Sequence, residues 1–463
     1  MVGFSLIFQP MVLEFKELLK YLRESGISAH FTMGGHFSTI EYTKTLQLMP
    51  ELDTVVTHEG EVTILELFKN LANPDKWFGI KGIAFRRNDE VIFTSPRKLI
   101  ENLDFLPFPI RGGKKQKYRG IESASILASR GCYYNCSFCS IRQFYLDAPG
   151  PKRRSRSASN VAEEMEQLYK SNVRIFKFVD DDLGMKTKVQ KEWINEFASE
   201  LKRRKIGDKI LWRISNRVDE LDLDCLKTLK NVGLTFVYLG IESGNEQGLK
   251  TCNKHFAVKD VYNSLDLLEK ADMKFDYGFM MLTPTTTFDS IEEDLEFLRN
   301  LTLNGRALVH FTKMFPYAGT SIAEQLKREG RLEGTLDYPT YQFNDPRINL
   351  MEVFLTKTFH EAFFGSLALV NKLRMLYLDV QIIEKFYPER FNLDEYAKSV
   401  KEAIISYNDS ALETIEIALN FMRKHEYKDI LYFWKTLDFL TQQEISAQLA
   451  IDKKIKNLSP ELR

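Results

Sequence analysis

From Val2 onward the chain alternates short apolar runs with segments whose apolar residues recur at helical spacing. VGFSLIF is followed by a helical period from about Val12 to Ser25, and SAHFTM ends at Gly34 and Gly35. DTVV at 53–56 then leads through His58, Glu59 and Gly60 into EVTILELFKNL. Strand, glycine turn and helix in that order predict an open parallel α/β sheet, Rossmann-like (flavodoxin-like) but partial. Residues 79–95 read as a hairpin turning at Asn88 and Asp89. The Pro- and Gly-rich LPFPIRGGKKQKYRG after it reads as a linker.

A second pattern begins near residue 124. The strands SILAS, VRIFKFV (173–179), ILWRIS (210–215), LTFVYLG (234–240), FDYGFMML (275–282) and LVHFTKMF (308–315) are separated by helical periods such as VAEEMEQLYK and VYNSLDLLEKA. Such a run predicts a central partial (β/α)6, TIM-like barrel whose chemistry sits at the C-terminal strand ends. After about residue 330 the strand signals stop and long helical periods follow, among them DEYAKSVKEAIISY and ALETIEIALNFMRKH. The expected division is therefore 1–110, 120–330 and a helical region 331–463.

Composition narrows the functional classes only by exclusion. Lys plus Arg and Asp plus Glu both number 64 in 463 residues, so net charge favours no polyanion, and no nucleic-acid partner is indicated. FFGSLALVNKLRMLYL is broken by Lys372 and Arg374, and no window reads as a membrane span. The N-terminal run lacks a basic leader, so a cytoplasmic protein is expected. Only five cysteines are present, too few and too unevenly spaced for a disulfide framework.

Three of those cysteines carry the candidate chemistry. In ASRGCYYNCSFCSIRQFY, Cys132, Cys136 and Cys139 follow the first barrel strand within eight positions. Three thiolates on one short loop suit three irons of a four-iron, four-sulfur (4Fe-4S) cube and leave the fourth open to a ligand. Zinc is the alternative, although a closed zinc site wants a fourth Cys or His at short spacing. The run PGPKRRSRSASN, with Lys152, Arg153, Arg154 and Arg156, reads as a solvated face or as a loop meeting an anionic group.

The C-x3-C-x2-C spacing with Phe138 before its last cysteine resembles the signature of radical S-adenosylmethionine (radical SAM) enzymes. The resemblance covers about residues 122–320. It implies that S-adenosylmethionine chelates the open iron and that one electron splits its sulfonium to give a 5'-deoxyadenosyl radical. It places Phe138 against the adenine and Asp180, Asp181 and Asp182 where the family binds the methionine amino group. Asn216 follows the third strand. Gly240 to Gly244 resembles the family's G-x-E-S-G turn, with Glu242 and Ser243 near ribose and carboxylate. Leu282 and Thr283 before Pro284 depart from the family's glycine there. The resemblance also implies an electron donor such as flavodoxin or ferredoxin.

Residues 1 to about 75 resemble the later part of the cobalamin-binding domain found in one branch of that superfamily. Ser5, Gly34, Gly35, Glu59 and Gly60 match the turns that cradle the corrin. The Asp-x-His-x-x-Gly loop of such domains does not occur here. A start codon placed too late is the favoured explanation, ahead of a natural truncation and a corrin held with a partner's help. Without its usual neighbour, VGFSLIF is expected to be a sheet edge. The function this implies is modification of an unactivated carbon of a small-molecule, lipid or peptide substrate, with cobalamin-dependent methylation first. Cobalamin-independent radical chemistry comes second and a non-catalytic iron-sulfur or zinc module last.

Overall fold

The computed structural model describes residues 1–458 except 89, 114, 390, 391 and 457, so Asp89 of the expected hairpin turn lies outside the described residues. The chain forms two compact units that interleave in sequence. One comprises Met1–Leu106, Ser129–Ser155 and Phe315–Gln342, and the other Pro107–Ala128, Arg156–Met314 and Phe343–Arg463.

In the first unit, β1 (Val2–Ser5), β2 (Phe31–Gly34), β3 (Thr54–Val56), β4 (Ile83–Arg87) and β5 (Glu90–Phe93) form a five-stranded sheet in that order. The first three strands run parallel, and β4 and β5 are added antiparallel. β1 is an edge of the sheet. Leu6, Leu19, Phe31, Met33, Leu46 and Val55 fill the core beneath it. Gly35 has φ +105°, and a Cβ there would stand 2.5 Å from the Leu6 carbonyl, so the turn after β2 closes only on glycine.

In the second unit, β6 (Gln116–Tyr118) and β7 (Ile121–Ile126) make a hairpin. β10 (Val173–Phe178), β11 (Leu211–Arg217), β12 (Leu234–Glu242) and β13 (Lys274–Phe279) extend it as a curled half-barrel in the order β13-β12-β11-β10-β7-β6. From β7 to β13 every pairing is parallel. The two-residue strands β8 (Ser129–Arg130) and β9 (Arg154–Ser155) belong to the first unit and pair antiparallel.

Two elements of the half-barrel differ from the pattern read in the sequence. KKQKYRG, expected within a linker, supplies β6. LVHFTKMF does not form a regular strand; it lies extended at the end of β13, with Thr312 N–H bonded to the Phe279 carbonyl at 2.9 Å and Met314 N–H to Leu282 at 2.8 Å. A parallel pairing this short leaves the apolar run unchanged in the sequence while removing most of its ladder.

Alternation sorts the strand side chains. Phe178 and Trp212 pack on Phe197 of helix Lys188–Arg203, so that face of the sheet is closed by helices. Neighbouring residues point to the inner face. The C-terminal helices Pro346–Phe363, Leu369–Phe386, Leu393–Lys424 and Trp434–Lys456 bury Val400, Ile404, Tyr407, Ile415 and Met422. Among the described residues no helix is long and apolar enough to cross a membrane.

Candidate active site

The cysteine loop is built before any cofactor is considered. It leaves β8 at Gly131, whose φ is +80° and whose missing Cβ would fall 1.8 Å from the Lys152 carbonyl oxygen. Only glycine lets the two flanking strands close at this point. Cys132, Cys136 and Cys139 are all half-buried, as is Phe138. Cys139 N–H donates to the Cys136 carbonyl at 3.2 Å, and Cys139 caps helix Ser140–Leu146. By contrast, burial pushes the Cys225 thiol up to about 12, which makes it inert as a ligand.

Beneath the loop, Glu59 acts as a buried anchor. Its carboxylate accepts from Arg154 Nη1 at 2.8 and 2.9 Å, from Arg130 Nη1 at 3.1 Å and from the Ile100 N–H at 2.7 Å. Arg130 also reaches Glu61 at 2.6 Å; burial opposes its charge, and Glu61 and Glu59 nonetheless raise its pKa. Register pairs Arg130 with Arg154, so one carboxylate neutralises both strands that bracket the cysteines. Of the basic run at 152–156, Lys152, Arg154 and Arg156 are engaged within the fold. Lys152 bonds the Leu146 and Ala148 carbonyls, and Arg156, in the other unit, bonds Glu164 at 2.5 Å and the Leu127 carbonyl at 2.8 Å.

Ser5, Gly34, Gly35, Glu59 and Gly60 all lie at or just beyond the C-terminal ends of β1, β2 and β3. Ser5 is exposed there, while Glu59 is occupied by its arginines and Gly35 by Leu6. His58 Nδ1 lies 2.5 Å from the Phe144 carbonyl, and His36 stacks on the Phe144 ring at 4.3 Å. Burial lowers the pKa of both imidazoles.

In the second unit the strand ends are polar. Asp180 accepts the Ala128 N–H at 3.1 and 3.2 Å, tying the end of β10 to that of β7. Asp182 accepts the Arg217 N–H at 3.1 Å, and Asn216 Oδ1 accepts the Gly184 N–H at 3.0 Å. All three are buried, whereas Asp181 between them is exposed. Glu242, at the bulge that ends β12, has φ +72° and meets Lys254 Nζ at 3.2 Å. Ser243 is 1% exposed and its hydroxyl bonds Asp294 at 3.2 Å. Burial pushes Asp294 up to about 7 although it accepts the Gly244 N–H at 2.7 Å. Lys254 and Asp294 gave no signal in the sequence, being distant residues with neither motif nor periodicity.

The donor set fits a cluster. Three half-buried cysteines stand on one short loop, a set of three soft thiolate donors. A cube needs its thiolates at separate corners. Residues 126–298 match the radical SAM superfamily.

This stretch is a radical SAM domain.

An uncharacterized methyltransferase of Pyrococcus horikoshii is 28% identical over 322 residues, 69% of this chain and 67% of that protein. The anaerobic magnesium-protoporphyrin IX monomethyl ester cyclase of Cereibacter sphaeroides is 27% identical over 349 residues, 73% of this chain and 54% of its own. The chain thus spans between about half and two thirds of these relatives' length. Among solved structures, the cobalamin-dependent S-adenosylmethionine radical enzyme OxsB, with aqua-cobalamin bound, superposes with a TM-score of 0.69 at 16% identity, over 97% of this chain and 71% of that one. The radical S-adenosylmethionine methyltransferase TsrM of Kitasatospora setae gives 0.59 at 17%, over 71% and 64%. At such identities the likeness is one of fold, and it takes in both the radical SAM domain and the sheet that precedes it.

Proposed function

We propose that the chain reductively cleaves S-adenosylmethionine at a 4Fe-4S cluster to modify an unactivated carbon, with cobalamin-dependent methylation as the outcome. The observation that carries the reading is the half-buried cysteine triad on a loop pinned by Glu59, directly after the first parallel strand of a half-barrel. Cys132, Cys136 and Cys139 would hold the cluster. When bound, it supplies the electron that splits the sulfonium. Phe138, Asp180, Asp181, Asp182, Asn216, Glu242 and Ser243 are assigned to S-adenosylmethionine by resemblance. A carboxylate among Asp180, Asp181 and Asp182 suits an ammonium; Asp181 is exposed, and Asp180 and Asp182 also tie the strand ends together.

Support for cobalamin comes from the resemblance of Ser5, Gly34, Gly35, Glu59 and Gly60 and from the corrin-bearing enzymes that share the fold. Glu59 supports the cysteine loop instead of a ligand, which leaves Ser5 and the backbone at Gly34 and Gly60 for the corrin. The substrate is a small molecule, lipid or peptide, and the electron comes from a reduced flavodoxin or ferredoxin.

Anaerobic reconstitution with iron and sulfide tests the reading. Four irons per chain, and 5'-deoxyadenosine on addition of dithionite and S-adenosylmethionine, are expected of the native protein, and neither of Cys136→Ala. One zinc and no iron would defeat it. Corrinoid in the purified protein and S-adenosylhomocysteine among the products separate the methylation reading from cobalamin-independent chemistry.

A further inference from the structure

The inner face of the half-barrel carries an imbalance of charge. Lys177 on β10 and Arg213 on β11 are register partners on adjacent parallel strands. Both alternate with residues buried against helix Lys188–Arg203, so both point inward. Lys177 Nζ bonds the Tyr118 hydroxyl and Gln116 Oε1, both neutral. Among the described residues Arg213 donates no hydrogen bond and enters no ion pair. The carboxylates of that face are already committed. Asp276 meets Arg374 at 2.5 Å, and Glu242 meets Lys254 at 3.2 Å.

Like charges on neighbouring strands about 5 Å apart repel and destabilise a sheet. Elsewhere in this unit Arg156 is paired with Glu164, Arg204 with Glu166 and Arg119 with Asp379. Level with Arg213, its register partner Phe236 on β12 packs against Tyr377 of helix Leu369–Phe386 at 6.5 Å. Towards the strand ends, Lys177 stands one residue before the last residue of β10, and Arg213 three residues, about 10 Å along the strand, before Asn216. The hydroxyls of Tyr118 and Ser125 lie beside Lys177, Ser125 as its register partner on β7.

We infer that Lys177 and Arg213 form the anion subsite of the substrate, which carries a carboxylate or phosphate group bound on the inner face below the strand ends. The inference deepens the proposed function and rests on it for the ligand's being the substrate. An arginine fork beside a lysine point charge suits both oxyanions, and only an anion turns the repulsion of the pair into binding energy. The subsite sets specificity. It anchors a charged end at depth, so the carbon to be modified reaches the strand ends, and neutral analogues lose that anchor.

Calorimetric titration of the full-length protein with inorganic phosphate and, separately, with acetate at low ionic strength tests the subsite. The native protein is expected to bind one of them saturably, and the arm that responds tells a phosphoryl from a carboxylate ligand. Arg213→Gln and Lys177→Met are expected to weaken that binding at least tenfold. Without anion, Lys177→Met is expected to melt above the native protein, because the repulsion is gone. No saturable binding of either anion by a folded native protein, or equal binding by native protein and variants, would overturn the inference. Formation of 5'-deoxyadenosine by the native protein reports separately on the radical reading.

Discussion

Glu242 and Lys254 meet at 3.2 Å, the carboxylate on a backbone held at φ +72° and the ammonium on a residue 3% exposed. A non-glycine residue in that region is strained by about 1–3 kcal/mol, and such strain gathers at sites of function. Replacing Glu242 by Gln removes the carboxylate that this buried ammonium meets, and a loss of about 3–5 kcal/mol is expected in denaturant unfolding. The double variant Glu242→Gln, Lys254→Met is expected to regain most of that stability. Its 5'-deoxyadenosine yield should remain at least about 10-fold down, a differential of roughly 1.4 kcal/mol. Recovery of both together would make the pair structural only.

The anchor under the cysteine loop makes a second prediction. Glu59→Gln is expected to cost about 3–5 kcal/mol, because Arg130 and Arg154 would then face each other across β8 and β9. Iron content after reconstitution should fall with it although no cysteine has changed. Retention of four irons per chain by the variant would separate the anchor from the loop.

Gly131→Ala brings both a left-handed residue and a Cβ at 1.8 Å from the Lys152 carbonyl. The backbone cost alone is about 1–3 kcal/mol. A lowered melting temperature with reduced iron loading is expected, and Gly79→Ala, where nothing lies within 4 Å of the added methyl, should match the native protein.

Asp294 makes stability depend on pH. Burial raises its folded pKa to about 7, above the ordinary aspartate value of about 3.9, so the folded state holds the proton more tightly than the unfolded one. Its contribution is fully present below about pH 4, is lost as pH rises to about 7, and is constant beyond. Urea unfolding of Asp294→Asn should lack this slope between those limits. Equal slopes in the two proteins would place the titration elsewhere.

The cysteine triad, the parallel strands from SILAS to FDYGFMML and the polar strand ends were legible because each is written locally, in spacing or alternation. Partners remote in sequence were not legible. Glu59 matched a corrin-turn motif, yet its carboxylate bonds a residue 95 positions away. The run 152–156 looked like a charged loop because a sequence shows charges and not their counter-ions. Ser243 fell in a motif whose serine is turned inward onto Asp294. β6 was hidden because KKQKYRG has no apolar alternation, and its partner is the face of β7 across a tight turn.

The alternating membership of the chain has a consequence for how this protein can be taken apart. Residues 129–155 travel with the N-terminal sheet although family similarity runs through them from 126 to 298. A fragment cut at the similarity boundary would keep every thiolate and lose the carboxylate that holds their strands together. The N-terminal sheet is in this sense a scaffold for the cysteine loop, and exchanging it for another enzyme's would require a substitute for Glu59.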